Sequence, residues 1–232
     1  MKHVHNEILL PLLRLFAHVL EIDEEHFVNQ HRYEQEGLEY LRYMKYHPRS
    51  EEEDAAVNNI WARGHTDYNT LTFLFHQPVA GLQVQTQAGW KYVRSEPDGI
   101  LVNVADALEF LSGGYLKSTV HRVVRPPRDQ ADKARLSLIY FARPEAKTEL
   151  APVKSPLLQR LGLQSSTADI PKGVTAEGRN STEPDVYHEK SELTVNAEWA
   201  RARIAKDHRY RTGLDNRREG EIIAGVQQKF YD

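Results

Sequence analysis

Between residues 38 and 142 the chain sets short runs of strand-forming residues one after another. They are 38–46, 60–64, "LTFLF" (71–75), "LQVQT" (82–86), "WKYV" (90–93), "ILVNV" (100–104), "STVHRVV" (118–124) and "RLSLIYFA" (135–142). Gly81, Gly89, Pro97-Asp98-Gly99, Gly113-Gly114 and Pro126-Pro127 stand between the runs, and these residue types favour chain reversal. Many short strands with few helices between them predict a mainly β fold, an antiparallel barrel or jelly roll, with flanking helices at both ends. One short internal helix is expected at "ADALEFL" (105–111).

In the leading segment "ILLPLLRLFAHVL" (8–20), Ile8, Leu9, Leu12, Leu13, Phe16 and Leu20 recur at helical spacing and form one apolar stripe, so a helix laid on a core is expected. Glu7, Arg14 and His18 interrupt the apolar character, and the stretch is too short to span a bilayer. No small-residue cleavage site follows it, as a secretory leader would require. "IDEEHF" (22–27) reads as a helical turn capped by Asp23. Beyond Pro144 the texture changes. Residues 164–191 carry few large apolar groups and are expected to be a flexible linker. "VNAEWARARIAKDHRY" (195–210) and "GEIIAGVQQKFYD" (220–232) are expected to be helices that need docking on the barrel to be stable. Three parts result: an N-terminal helical flank at 1–36, the β domain at 37–144 and a C-terminal extension at 145–232.

With 30 basic against 33 acidic residues the net charge is −3, which does not point to nucleic acid as a partner. A small-molecule substrate is the better expectation. The chain has no cysteine, so thiolate catalysis, zinc-thiolate sites and disulfides are excluded, and a reducing, cytoplasmic setting fits. Any bound metal must use nitrogen and oxygen ligands. "GHTDYNTLTFLFHQ" (64–77) offers them: in an extended chain His65 and Asp67 project to the same side. His121, on the distant run "STVHRVV", is the candidate third ligand. Two histidines and a carboxylate on one face of an octahedral ion make the facial triad of non-haem Fe(II) oxygenases. In "KARLSLIYFA", Arg135 and Ser137 alternate with Leu136, which sets a guanidinium beside a hydroxyl on one strand face, a pair suited to a carboxylate.

Plainer readings stand beside these. His65 and Asp67 could form a local turn, and Arg135 could neutralise a buried acid. His3, His5, His18, His26, His31, His76, His188 and His208 are expected to be structural. "LSGGYL" (111–116) lacks the Lys-Ser/Thr ending of a phosphate loop and is read as a turn. "EEED" (51–54) is expected to be a solvated loop, and Trp61 and Trp90 to belong to the core or a pocket wall.

The ordered set HTD (65–67), HRV (121–123) and RLS (135–137), together with "DALEFLSGGYLKSTVHRVV" (106–124), resembles the isopenicillin-N-synthase-like Fe(II)/2-oxoglutarate dioxygenases over roughly residues 37–144. The resemblance implies a double-stranded β-helix in which His65, Asp67 and His121 hold Fe(II) while Arg135 and Ser137 bind the distal carboxylate of 2-oxoglutarate. With dioxygen as co-reactant, such enzymes release succinate and CO2 and hydroxylate, desaturate or cyclise a small organic molecule. Two features depart from the family pattern. "KYHP" puts His47 rather than Tyr directly before Pro48, with Tyr46 one step back, and the chain opens near the family's mid-chain helix. The substrate pocket is therefore expected to lack part of its wall. Two other readings follow: an iron enzyme that uses no oxo acid, and an inactive remnant that keeps the metal cradle as a binding or scaffold module. Oligomeric state is not legible in the sequence.

Overall fold

Every one of the runs named above becomes a strand in the computed structural model. It describes residues 1–34, 38–164, 199, 201, 202, 205, 222, 223, 226 and 227. The strands are β1 (Tyr40–Tyr46), β2 (Ile60–His65), β3 (Leu71–Phe75), β4 (Leu82–Thr86), β5 (Gly89–Tyr92), β6 (Ile100–Val104), β7 (His121–Val124) and β8 (Arg135–Ala142). They form two four-stranded sheets, ordered β1-β8-β3-β6 and β2-β7-β4-β5, with antiparallel pairing throughout. The chain passes back and forth between the two sheets, which is the double-stranded β-helix.

The first sheet has a mixed polar and apolar inner side and an apolar outer one. Along β8, Arg135, Ser137, Ile139 and Phe141 share one face, while Leu138, Tyr140 and Ala142 share the other. The second face carries the core: Tyr140 and Ala142 pack with Phe73 and Leu71 of β3 beneath Leu9, Leu13, Leu20 and Phe27 of the leading helices. Those helices are α1 (Lys2–Val4), a π turn (His5–Leu9), α2 (Leu10–Val19) and α3 (His26–Asn29). The π turn falls just ahead of Pro11, whose ring nitrogen has no hydrogen to donate to the helical ladder. Turning the helix there brings His5 inward. Its Nδ1 meets the Tyr140 hydroxyl at 2.7 Å and its Nε2 meets the His31 carbonyl oxygen at 2.5 Å.

Two expectations are corrected. "EEED" is not a solvated loop, because Glu51–Ala56 is the helix α4, closed by a capping box between Ser50 and Glu53. Asp54 on this helix is fully buried, accepts a hydrogen bond from Trp61 Nε1 at 2.7 Å and lies 3.0 Å from Arg125 Nε, so it ties α4 to the second sheet. The second correction concerns 220–232. There Ile222–Ile223 (β9) pairs antiparallel with Val226–Gln227 (β10), where a helix was expected. Ile222, Ile223 and Val226 are β-branched, which favours strand over helix. The expected internal helix is α5 (Asp106–Leu111), and α6 (Pro156–Arg160) follows the barrel, capped by the Ser155 hydroxyl. Trp199, Arg201, Ala202 and Ala205 are helical, as expected for 195–210, and Trp199 is buried edge-on against Tyr68 and Phe110. The linker expected at 164–191 falls, after Gln164, outside the described residues, as do His188 and His208.

Candidate metal centre

His65 closes β2 and His121 opens β7, directly opposite each other in the pairing of the two strands. The β2 register shifts between Ala62 and His65, an irregularity of the kind that re-aims a side chain. The imidazole centroids stand 4.4 Å apart. Asp67 sits two residues past His65, with its Oδ1 3.8 Å from His65 Nε2 and its Oδ2 3.8 Å from His121 Nε2. One potential ligand atom from each of the three lies within 4.8 Å of the others.

The surroundings fix which atoms converge. His65 Nδ1 is 2.8 Å from the Arg63 carbonyl and His121 Nδ1 is 3.0 Å from the Thr119 carbonyl. A carbonyl only accepts, so each Nδ1 carries the proton and each Nε2 turns its lone pair toward Asp67. The loop holding Asp67 is pinned from behind by α5: Asp106 N–H donates to the Asp67 carbonyl and Ala107 N–H to that of Asn69. The Thr72 hydroxyl donates to Asp67 Oδ2 at 2.6 Å, and Asn103 Nδ2 donates to it at 3.2 Å. Burial by itself would raise the Asp67 carboxyl. The positive charge that His121 and His65 carry when protonated, with the bonds from Thr72 and Asn103, holds it below the usual carboxylate range. A buried anion flanked by two imidazole lone pairs fits a divalent cation of borderline hardness, held by nitrogen and oxygen alone.

On the inner face of the first sheet, which also carries Thr72 and Asn103, Arg135 is 2 % exposed. Its Nη1 donates to Ser137 Oγ at 2.8 Å, and its Nη2 donates to Gln77 Oε1. The Tyr46 ring, opposite Arg135 across the β1–β8 pairing, lies under the guanidinium at 5.6 Å and stacks on Trp61. Gly81 runs close behind, where a Cβ would stand 2.7 Å from the Val124 carbonyl and 3.5 Å from Arg135 Cδ. Burial pushes the Arg135 pKa down, and among the described residues no carboxylate lies within ion-pair distance of it. Arg135 Nε and Gln77 Nε2 are both buried without a partner. An arginine does not give up its proton, so a guanidinium buried in this way can take an anion supplied from outside.

The sequence matches the family model described as the 2OG-Fe(II) oxygenase superfamily over residues 27–144. The chain belongs to that superfamily. It is 39% identical over 147 residues to the 2-oxoglutarate-dependent dioxygenase frbH of Dothideomycetidae sp., covering 62% of this chain and 44% of that protein. It is 35% identical over 144 residues to the 2-oxoglutarate-dependent dioxygenase gloE of Glarea lozoyensis, covering 62% of this chain and 42% of that one. The chain thus spans less than half the length of these relatives. Among solved structures, a full-length Neurospora crassa protein in complex with alpha-KG superposes with a TM-score of 0.58 at 28% identity, over 64% of this chain and 49% of that one.

Of the residues singled out in the sequence, His65, Asp67 and His121 converge, and Arg135 and Ser137 bond to each other in a buried pocket. His5 and His31 are interior structural residues. Burial lowers the His31 pKa to about 4, its Nδ1 donates to the Phe27 carbonyl and its Nε2 accepts from the Thr70 hydroxyl, both at 2.8 Å. Three contributors were missed. Gln77 reaches Arg135 from 58 positions away and has no local signal. Thr72 and Asn103 hold Asp67, and the β3–β6 alternation placed both on the inner face. The displaced tyrosine of "KYHP" is accounted for as well, since Tyr46 points inward at Arg135.

Proposed function

We propose that this chain is the catalytic part of an Fe(II)- and 2-oxoglutarate-dependent oxygenase that oxidises a small organic metabolite, by hydroxylation, desaturation or ring closure, with release of succinate and CO2. In this reading His65, Asp67 and His121 ligate the iron. Arg135 and Ser137, with Gln77 and Tyr46 around them, bind the distal carboxylate of 2-oxoglutarate. Residues 37–144 are the catalytic jelly roll, 1–36 its helical flank and 145–232 a C-terminal extension. The observation that carries it is the pairing of a convergent His-Asp-His set with a buried guanidinium that has no ion-pair partner among the described residues, on the inner sheet face that also carries Thr72 and Asn103, the two residues bonded to Asp67.

Iron held there supplies the oxidising chemistry, using dioxygen and the two electrons released when 2-oxoglutarate loses CO2. What the chain's own side chains contribute is orientation and dryness. The Nδ1–H bonds to Arg63 and Thr119 lock both imidazoles, and Thr72 and Asn103 set the plane of the Asp67 carboxylate. Arg135 and Ser137 offer parallel donors to one end of the cosubstrate, which fixes its reach toward the ligands. Trp61 behind Tyr46 and the apolar Leu74, Ile139 and Phe141 limit water in the interior.

The inert scaffold is not favoured, because it gives no use for the unmatched Arg135. The −3 net charge supports a small-molecule substrate over nucleic acid. Absence of cysteine supports a cytoplasmic setting, and among the described residues no helix is long and apolar enough to cross a membrane. The test is succinate formation from 2-oxoglutarate with ferrous iron and air. Turnover that disappears in His121→Ala supports the reading. Oxygen uptake that needs no oxo acid would transfer the assignment to an iron oxidase, and no uptake alongside no 2-oxoglutarate binding would end it.

A further inference from the structure

A second buried arginine lacks an anion, at the far end of β8 from Arg135. Arg143 directly follows the strand, is 7 % exposed, and its Nε has no partner. Its guanidinium carbon lies 5.3 Å from the centre of the Tyr40 ring. Tyr40 in turn stacks on Phe141, its partner in the β1–β8 register, at 4.7 Å and 19°. Arg42 approaches the same two rings, 5.3 Å from Tyr40 and 5.4 Å from Phe141. Two guanidiniums thus share one aromatic shelf, and among the described residues neither has a carboxylate within ion-pair distance. Like charges repel, and a buried one is costly unless paired.

The shelf is aligned with the metal centre. The registers make one continuous row across the sheet: Tyr40 opposite Phe141, Phe141 opposite Thr72, Thr72 opposite Asn103. The last two are the residues that hold Asp67. At ~4.8 Å per strand, the shelf begins one strand from Thr72 and ends two strands from it, about 5–10 Å away. Arg143 is near enough to Asp67 to feel its charge. Burial still holds Arg143 below its usual range, with Tyr40 and Asp67 offsetting only part of the loss and Arg42 adding to it. Eight positions of extended chain separate Arg135 from Arg143, roughly 26 Å, so one small dicarboxylate cannot satisfy both.

We propose that the molecule oxidised at this centre is an organic carboxylate, and that its anionic group is bound by Arg143 and Arg42 on the Tyr40–Phe141 shelf. This rests on the oxygenase reading above and adds to it the class of substrate. Arg135 serves the cosubstrate and Arg143 the substrate, with the metal ligands between them. A carboxylate on the shelf leaves the rest of a small acid extending along the row toward the iron ligands.

The test uses the full chain loaded with Mn(II) and saturating 2-oxoglutarate, titrated calorimetrically with 3-phenylpropionate and with its neutral amide as probes. The acid should bind at least ~10-fold tighter than the amide, as expected for loss of a charge-assisted pair. Arg143→Gln and Arg42→Gln should each bring the two probes close together. Arg143→Lys, which keeps the charge, should retain most of the preference and shows that the effect is not misfolding. 2-Oxoglutarate affinity should stay within about twofold in all three, since the charge of Arg135 is untouched. Equal affinity of acid and amide in the unaltered protein, no binding of either, or a preference that survives Arg143→Gln overturns the proposal. Failure of 2-oxoglutarate itself to bind is a separate result: it removes the oxygenase reading, while the acid-to-amide ratio still decides the shelf.

Discussion

The two faces of β8 bury polar groups to opposite ends. On the outer face, beneath the leading helices, Tyr140, His5, His31 and Thr70 each find a partner inside the protein. On the inner face Arg135, and Arg143 just past the strand, keep a buried Nε without one, and so does the amide of Gln77. Burial depth does not distinguish the two sets, because His5 and Arg135 are both 2 % exposed. Saturation does. A satisfied network holds elements together, whereas an unsatisfied buried group calls for a further partner such as water, an ion or a ligand. Substitutions on the inner face should therefore change binding and spare stability, and those on the outer face should do the reverse.

The largest effect is expected at the metal. Asp67→Ala removes the only anion of the triad and should weaken Fe(II) or Mn(II) binding by more than ~100-fold, beyond the 10- to 100-fold typical of an outer-shell change. Equilibrium dialysis measures this, and circular dichroism should report an intact fold. Next, Arg135→Leu should raise the 2-oxoglutarate dissociation constant by about 10- to 100-fold. The same substitution removes an unmatched buried charge, so the ligand-free melting temperature should hold or rise. A fall of several degrees would show that Arg135 is structural and break the contrast between the faces.

The outer face is tested at His31. Phenylalanine there leaves the Thr70 hydroxyl without its acceptor, a loss of roughly 1–3 kcal/mol in denaturant unfolding, with 2-oxoglutarate affinity unchanged. His31 also gives a pH signature. Its folded pKa of about 4 lies below the ordinary 6.5, so between those values the unfolded chain takes up a proton that the folded chain excludes. Stability should fall as pH drops from about 6.5 toward 4, by up to roughly 3 kcal/mol from this residue, and His31→Phe should flatten that slope. The smallest effect is expected for Thr72→Val, which removes one bond to Asp67 and should weaken metal binding by about 10-fold.

Local chemistry accounts for what was legible in the sequence. Strand alternation and glycine or proline turns are short-range signals, so the barrel strands could be read. The triad and the Arg135–Ser137 pair rest on motifs of three residues each. What escaped depends on distant partners. Ser50-x-x-Glu53 was a visible capping box, yet Asp54 becomes interior only through Trp61 and Arg125. Gln77 joins Arg135 through the folding of β3 against β8, and nothing near residue 77 marks it. Arg143 continues the alternation of Arg135 and Ser137, but its meaning depends on Tyr40, more than a hundred residues earlier.

If the His-Asp-His set and Arg135 act as one site, they hold a single 2-oxoglutarate between them. Anaerobic titration of the Fe(II)-loaded protein with 2-oxoglutarate, followed through the visible charge-transfer absorption of an iron-bound oxo acid, reads this out. The expected band saturates at one equivalent, is missing in Asp67→Ala and needs about 10- to 100-fold more 2-oxoglutarate in Arg135→Leu. No band in the unaltered protein, or the same titration curve in Arg135→Leu, would contradict it.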